Sequence, residues 1–259
     1  MKIVVLAKQV PDTWSDRKID LESGMLDRAA SEPVPDEINE RALETALQFK
    51  DANGDAEIVV VFMGPEDATK SVRKLLSMGA DSAVLVSDGS LGGSDMVQTA
   101  RTLASAIQKT GADLVVAGNE ATDGRGGMVP AMVAEILGWP VLPGLDEMQI
   151  AADSVKGVAQ VDGGTLQLSS GYPAVVSVTE KVAEPRFPNF KGIMAAKKKP
   201  LESWSLADLG VQTGPEAATV RSVMVSAAAR PPKETGPKVA DDGTAAAQLA
   251  EFLVAGRLV

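Results

Sequence analysis

The chain has 259 residues, 45% of them hydrophobic and 23% charged, which is enough to bury the core of one or two domains. Its formal net charge of −10 disfavours nucleic-acid binding, and we expect no nucleic-acid partner. Cysteine and histidine are both absent from the sequence, which excludes disulfides, zinc–thiolate sites and catalysis by a histidine base. We therefore expect a binding or carrier protein with no catalytic residue and no metal site.

The sequence gives no indication of membrane insertion. Its apolar runs fall short of the roughly 18 residues that a membrane-spanning helix needs. The N-terminal run, residues 1–8, is too short for the apolar region of a signal peptide. We interpret it as a buried strand of a cytoplasmic protein.

Four apolar runs, each followed by a helical pattern, occupy the first half of the chain. They predict buried strands at residues 3–7, 57–63, 83–86 and 114–117, with a polar loop at residues 9–35. Asp36 predicts the N-cap of the first helix, and Gly79 and Gly111 predict the ends of the second and third. This alternation predicts an α/β fold with a doubly wound, mostly parallel sheet of the flavodoxin or Rossmann type.

The pattern changes after the fourth helix, which is predicted at residues 128–137. Asp162-Gly163-Gly164 lies between two short apolar segments and predicts a hairpin, so we expect an antiparallel edge in a domain of residues 1–199. Residues 200–259 are rich in Ala, Pro and Gly, with one helical pattern at 245–254. We expect them to form an arm that is disordered or wraps a partner.

A first candidate site lies where three predicted strands end. Ligands of open α/β sheets bind beyond the carboxyl ends of the strands, here Leu6-Ala7-Lys8, Met63-Gly64-Pro65 and Gly118-Asn119. Glycine-rich residues 118–127 then lead into a helix N-terminus, where backbone N–H groups and Arg125 can bind a phosphate. From spacing alone, a flexible loop without a ligand is equally compatible. The sequence has no P-loop motif and no GxGxxG after the first strand, which disfavours a Walker-type ATPase and a typical Rossmann dehydrogenase.

A second candidate is the basic segment 184–199, which holds Phe187 and Phe190, two of the five phenylalanines of the chain. Exposed phenylalanines in a proline-restricted loop are typical of protein docking, and the basic residues would attract an acidic partner. A solvated run of charges and a nucleic-acid patch are the alternatives, and the acidic net charge disfavours the latter.

These segments make the chain similar to the β subunits of electron-transfer flavoproteins. Residues 178–187 and 192–199 resemble the signature segment and the partner-recognition loop of that family, and further matches lie at residues 4–12, 77–81, 118–130 and 138–140. The similarity extends along the whole chain, from Met1 to about Val259.

The resemblance implies a heterodimer with an α subunit that holds most of an FAD, while the β subunit holds a structural AMP. It implies that the dimer carries electrons from acyl-CoA and related dehydrogenases, as in fatty acid β-oxidation, to a quinone oxidoreductase. In bifurcating relatives a second FAD replaces AMP, but residues 123–128 differ from the run typical of those relatives, which favours AMP. A standalone ATP-binding sensor of the same sheet type is the alternative from another class.

The resemblance also assigns site residues, with the phosphate expected at Gly124–Gly127 and the adenine near Leu6 and Met63. The expected AMP site comprises Leu6, Ala7, Lys8, Pro33, Val34, Pro35, Asp36, Met63, Gly118, Asn119, Glu120, Ala121, Thr122, Asp123, Gly124, Arg125, Gly126, Gly127, Met128 and Val129. The expected dehydrogenase-docking residues are Glu184, Pro185, Arg186, Phe187, Phe190, Ile193, Met194, Lys197, Lys198 and Lys199, with Phe190 as the anchor. The arm, residues 200–259, is expected to pack on the α subunit.

Overall fold

The computed structural model describes residues 1–211, 222 and 224–259. The chain divides into two compact units, Met1–Val225 and Ser226–Val259. The first unit contains a large sheet covered by helices, and the second contains a single described helix.

The elements of the first unit follow the predicted alternation of strands and helices. Its strands are β1 (Lys2–Ala7), β2 (Gln9–Pro11), β3 (Pro33–Pro35), β4 (Glu57–Met63), β5 (Ser82–Val86), β6 (Leu114–Gly118), β7 (Val141–Ile150), β8 (Ser154–Val161), β9 (Gly164–Gly171), β10 (Ala174–Val178) and β11 (Leu201–Trp204). Its helices are α1 (Glu37–Asn53), α2 (Thr69–Met78), α3 (Met96–Thr110), α4 (Val129–Leu137) and α5 (Phe190–Ala196).

Nine of these strands form one sheet in the order β11-β5-β4-β1-β6-β10-β7-β8-β9. Every pairing from β11 to β7 is parallel, and the pairings of β7 with β8 and of β8 with β9 are antiparallel. The predicted α/β class, the mostly parallel sheet and its antiparallel edge are therefore confirmed. The chain moves from β1 towards β4 on one side and returns to β6 on the other, so the topological switch point lies between β1 and β6.

Two apolar clusters, one on each face of the sheet, form the core. Ile3 and Val5 face a cluster that includes residues of α1 and α2, whereas Val4 and Leu6 face a cluster that includes residues of α3 and α4. Because both faces of β1 are covered, its apolar residues run without interruption, as expected for a buried parallel strand. The ends of the helices also agree with the sequence: Asp36 caps α1, and α2 and α3 end at Gly79 and Gly111.

Four strands were not expected from the sequence. The predicted polar loop at residues 9–35 contains the antiparallel pair β2–β3, in which Val10 pairs with Val34. Strand β7 was not expected either, and β11 adds a parallel edge strand beside β5. Because β11 belongs to the sheet, the first unit continues beyond the predicted domain boundary at residues 199/200. Residues 212–221 and 223 of the expected arm lie outside the described residues.

The second unit contains helix α6 (Ala245–Ala255), close to the predicted span of 245–254. This helix is rich in alanine and leucine, yet none of its residues is buried, and Leu249, Phe252 and Val254 are all well exposed. Among the described residues of either unit, no helix has both the length and the apolar character that crossing a membrane requires.

Candidate functional site

The carboxyl end of β1 is joined to the start of α1 by two backbone contacts. The amide of Asp36 donates to the carbonyl of Lys8 at 3.0 Å, and the amide of Lys8 donates to Asn39 Oδ1 at 3.0 Å. Strands β1, β4 and β6 are parallel neighbours, so their carboxyl ends lie at the same edge of the sheet. We call this edge, with the β6–α4 loop of residues 119–128, the nucleotide edge.

The buried carboxylate of Asp36 determines the path of the β6–α4 loop. Its side chain has no exposure to solvent. Oδ1 accepts from the amide of Ile38 at 3.0 Å, which caps α1, and Oδ2 accepts from the amide and the hydroxyl of Thr122 at 2.7 and 2.8 Å. Asp36, predicted as a nucleotide-site residue, thus acts by holding the loop against the start of α1.

Asp123 brings two cations to the same loop. Lys8 Nζ lies 2.9 Å from its carboxylate, Arg28 Nη2 lies 2.8 Å away, and the Asp123 side chain is only 2% exposed. Burial by itself would raise the pKa of Asp123, but the Lys8 ammonium and the Arg28 guanidinium outweigh it and hold the pKa below the usual value. Two cations against one carboxylate leave this part of the edge with a local positive charge, in a chain that is acidic as a whole.

Arg17 adds a third cation that the sequence reasoning missed. Its guanidinium donates to the carbonyl of Thr122, to Thr122 Oγ1 at 3.2 Å and to the carbonyl of Pro11 at 3.1 Å. Arg28 and Asn39 were missed as well. Arg17 and Arg28 are separated from their partners in the β6–α4 loop by 105 and 95 residues, and no spacing in the sequence signals such a contact.

In the described part of the chain, the rest of the β6–α4 loop contains an uncapped helix start, glycines and one unpaired amide oxygen. Met128, the N-cap of α4, makes no side-chain hydrogen bond to the first turn, so the dipole and N–H groups at that helix end are open to an anion. A Cβ added at Gly124 would meet nothing within 4 Å, and Gly127 has φ +64° with comparable space. Asn119 Oδ1 is buried without a hydrogen-bond partner among the described residues, so it is available to an amino group.

The other predicted nucleotide-site residues lie around this edge. Leu6 and Ala7 are buried in β1, and Met63 ends β4, adjacent to β1. Pro33–Pro35 is strand β3, whose partner β2 begins two residues after β1. The Arg125 side chain is largely exposed, with its nearest carboxylate, Glu120, 3.8 Å away.

The docking segment, residues 184–199, exposes four apolar side chains. Phe187 is 95% and Phe190 79% exposed, while Ile193 and Met194 are about half exposed. Three of the four lie on α5, which is capped by Asn189, whose Oδ1 accepts from the amide of Gly192 at 2.8 Å. Lys197 and Lys198 are exposed at its end. The segment therefore combines an apolar surface with exposed positive charges beside it.

Arg186 and Lys199 were expected to belong to this docking surface, but the charged groups of both are engaged within the chain. Arg186 forms a bidentate pair with Glu44, and this hydrogen bonding raises its guanidinium pKa above the usual value despite the opposing effect of burial. Lys199 Nζ donates to the carbonyls of Leu76 and Ala80 at 3.0 and 2.6 Å, and burial lowers its pKa. These two cations connect the segment to the rest of the domain.

Comparison with known proteins gives a consistent result. The family model for the electron transfer flavoprotein domain matches residues 24–209. The chain is 47% identical over 263 residues to electron transfer flavoprotein subunit beta of Mycobacterium tuberculosis (strain ATCC 25618 / H37Rv), with 99% of both chains covered. It is 37% identical over 220 residues to the caffeyl-CoA reductase-Etf complex subunit CarD of Acetobacterium woodii, covering 84% of this chain and 82% of the relative.

This chain belongs to the electron-transfer flavoprotein β-subunit family. It is therefore a component of a flavin-dependent electron carrier, which agrees with the carrier role inferred from its composition. The family match includes both the β6–α4 loop and the docking segment. Within the described part of this flavoprotein subunit, no group of three or more acidic side chains is placed to hold a metal ion.

Proposed function

We propose that the chain is the β subunit of a heterodimeric, cytoplasmic electron carrier whose α subunit holds most of the FAD. The dimer would accept electrons from acyl-CoA and related dehydrogenases and pass them to a quinone oxidoreductase. The FAD supplies the redox chemistry, and the part of this chain is to bind a structural AMP, to dock the donor and to pair with the α subunit. Family membership carries this proposal, and the geometry of two regions supports its details.

The nucleotide edge supports AMP binding through three features that suit different parts of that molecule. The uncapped start of α4 and the adjoining Gly126–Gly127 pair offer N–H donors to a phosphate, whereas the amides of Gly124 and Arg125 already donate to Asp123 Oδ1 and to the carbonyl of Ala121. Lys8 and Arg28 provide positive charge beside it. Asn119 Oδ1, the buried acceptor without a partner among the described residues, suits the amino group of an adenine.

Exposed apolar side chains support the two proposed protein contacts, one with the dehydrogenase and one with the α subunit. Phe187 and Phe190 are the kind of aromatic anchors that dominate protein–protein binding. The unburied apolar side chains of α6, Leu249 and Phe252 among them, support the proposal that the C-terminal arm packs on the α subunit. Deletion of residues 226–259 should therefore weaken the heterodimer in a sedimentation experiment, and an unchanged dimer affinity would contradict this role of the arm.

The second FAD of bifurcating carriers and a standalone ATP sensor are the competing functions. A sensor would leave the docking segment and the exposed face of α6 unexplained. The run Asp123-Gly124-Arg125-Gly126-Gly127-Met128 supports AMP over a second FAD, because it departs from the run typical of bifurcating relatives.

The nucleotides released from the denatured heterodimer distinguish these functions. The protein would be purified with its α subunit, denatured, and its nucleotides separated by chromatography with detection at 260 and 450 nm, about the adenine and flavin absorption wavelengths. We expect one FAD and one AMP per heterodimer. Two FAD would overturn the AMP assignment, and ATP without flavin or partner would favour the sensor.

A further inference from the structure

The docking segment exposes its apolar side chains, so little apolar packing holds it in place. Phe187 and Phe190 are among the most exposed large side chains of the chain. Helix α5 has only seven residues, fewer than a helix needs to be stable by itself in water. Its order must therefore come from contacts with the rest of the domain, which comprise the burial of Ala196 in the core and a set of polar contacts at both ends of the segment.

The N-terminal end of the segment is fixed to α1 by Arg186. Its Nε and Nη2 donate to the two carboxylate oxygens of Glu44 at 2.8 and 2.9 Å, and its backbone amide donates to Glu44 Oε2 at 3.2 Å. Nη2 also lies 2.8 Å from Asp51 Oδ2. The Glu44 side chain is only 6% exposed and that of Arg186 is 34% exposed, so the carboxylate is shielded from solvent while the guanidinium is partly open to it. The pair has the planar, bidentate geometry specific to arginine.

The C-terminal end is fixed to α2 in a different way. Arg73 Nη1 donates to the carbonyls of Ala196 and Lys199 at 2.6 and 2.8 Å. Between the two ends, α5 lies directly against α2, because a Cβ at Gly192 would come within 2.4 Å of the carbonyl oxygen of Ser77. The phenylalanines thus lie within a stretch whose two ends are anchored by separate polar contacts.

We propose that Arg186 is a positioning residue for docking, which holds Phe187 and Phe190 in their binding conformation through its pair with Glu44. Ordering a loop and its side chains on binding opposes association. A segment already ordered by Arg186 avoids this penalty, so the pair strengthens docking without touching the partner. This inference rests on the docking role proposed for residues 184–199.

The test compares Arg186→Gln with a charge-matched control in the heterodimer, using a purified acyl-CoA dehydrogenase as the electron donor. Arg186→Gln should raise the apparent KM of the dehydrogenase for the carrier about tenfold, with kcat within about twofold, because the ordering penalty returns on binding. Arg186→Lys keeps the charge but loses the bidentate geometry, so its KM should lie between those of the wild type and Arg186→Gln. Lys181→Gln removes the charge of a lysine that is 61% exposed and pairs with Asp146, and it should leave KM unchanged.

A double-mutant cycle with Phe190→Ala separates positioning from general destabilisation. If Arg186 acts through the phenylalanines, Arg186→Gln should lose most of its effect on KM in the Phe190→Ala background. An equal effect in both backgrounds, or an unchanged KM, would overturn the positioning role while leaving docking intact. If Phe190→Ala by itself has no effect, the proposed docking function itself is wrong.

Hydrogen exchange gives a readout independent of the dehydrogenase. Arg186→Gln should accelerate exchange of the amides of residues 187–196 and leave those of β6 unchanged. Unchanged exchange in the segment would contradict the proposal. Should Arg186→Gln fail to fold, Arg186→Lys and Asp51→Asn test the same interaction, because both variants keep a cation beside the buried Glu44. Both should raise the KM for the carrier by less than tenfold. If KM and amide exchange are those of the wild type in both variants, the proposal is overturned.

Discussion

The nucleotide edge and the docking segment both depend on buried carboxylates, but they use them for opposite purposes. At the nucleotide edge, Asp36 fixes the loop at Thr122, and Asp123 brings two cations to that loop for a single carboxylate. In the docking segment, Arg186 is paired with Glu44 of α1, and the apolar side chains beside it are left exposed. A similar arrangement, a carboxylate that fixes a distant loop, thus underlies both the surface that we propose for AMP and the surface that we propose for the dehydrogenase.

The comparison predicts that the two regions can be damaged independently. Asp36→Ala should have the largest effect, because it leaves the amide and hydroxyl of Thr122 without their acceptor and removes the cap of α1. We expect a loss of about 3 kcal/mol in the free energy of unfolding, together with loss of bound AMP. Urea unfolding and nucleotide content of the heterodimer measure the two effects.

The matched variant Asp36→Asn keeps an acceptor oxygen for the cap and should be less destabilising. Electron transfer at saturating dehydrogenase should change little in any molecules that stay folded. A stability within experimental error of the wild type for Asp36→Ala would contradict the role assigned to this carboxylate.

The next largest effect is expected from a substitution in the docking segment. Phe190→Ala should reduce kcat/KM for the dehydrogenase roughly thirtyfold, equivalent to about 2 kcal/mol, as the loss of an interface anchor does. AMP content and thermal stability should not change, because the side chain is 79% exposed. Ile136→Ala, which shortens an exposed apolar side chain on α4, is the control; equal effects of the two variants would show that Phe190 has no special role.

The smallest effect is expected for Asp123→Asn, about 1 kcal/mol at pH 7, since the exposure of Lys8 and Arg28 to solvent weakens their attraction to the carboxylate. The sign of the pH dependence follows from the lowered pKa of Asp123. A carboxyl group whose pKa is lower in the folded state stabilises the fold above its ordinary pKa of 3.8 and loses this contribution as pH falls through the folded value.

The difference in urea midpoint between wild type and Asp123→Asn should therefore be constant near neutral pH and shrink between about pH 5 and about pH 3. A difference that stays the same over this range would mean that the ionised carboxylate does not contribute to stability.

The sequence predicted the parts of the fold that are determined by local pattern. Strands β1, β4 and β6 were recognisable because both of their faces are buried and their apolar runs are continuous. Strand β11 was missed because it contains Glu202 and Ser203 and lies at an edge, where one strand of the sheet is its only neighbour. Its pairing with β5 is determined by tertiary contacts, and its four residues are too few to show a clear strand pattern.

The sites show the same limit. The glycine-rich loop at residues 118–127 was identified because its composition is itself the signal. The participation of Arg17 and Arg28 could not be read from a polar loop. Arg186 was interpreted as part of the docking surface because it lies among basic residues, whereas its partner Glu44 is 142 residues away on α1. Composition identifies a surface, but the direction in which a charge points depends on distant contacts.

The central claim is that the edge between β1 and β6 binds one AMP independently of the docking segment. Calorimetric titration of AMP into nucleotide-depleted heterodimer tests it directly. The account predicts one AMP per dimer, with the same affinity in wild type and Phe190→Ala, and much weaker binding in Gly127→Val, where a branched side chain must adopt φ +64° beside the start of α4. Absence of AMP binding, or an affinity unaffected by Gly127→Val, would contradict it.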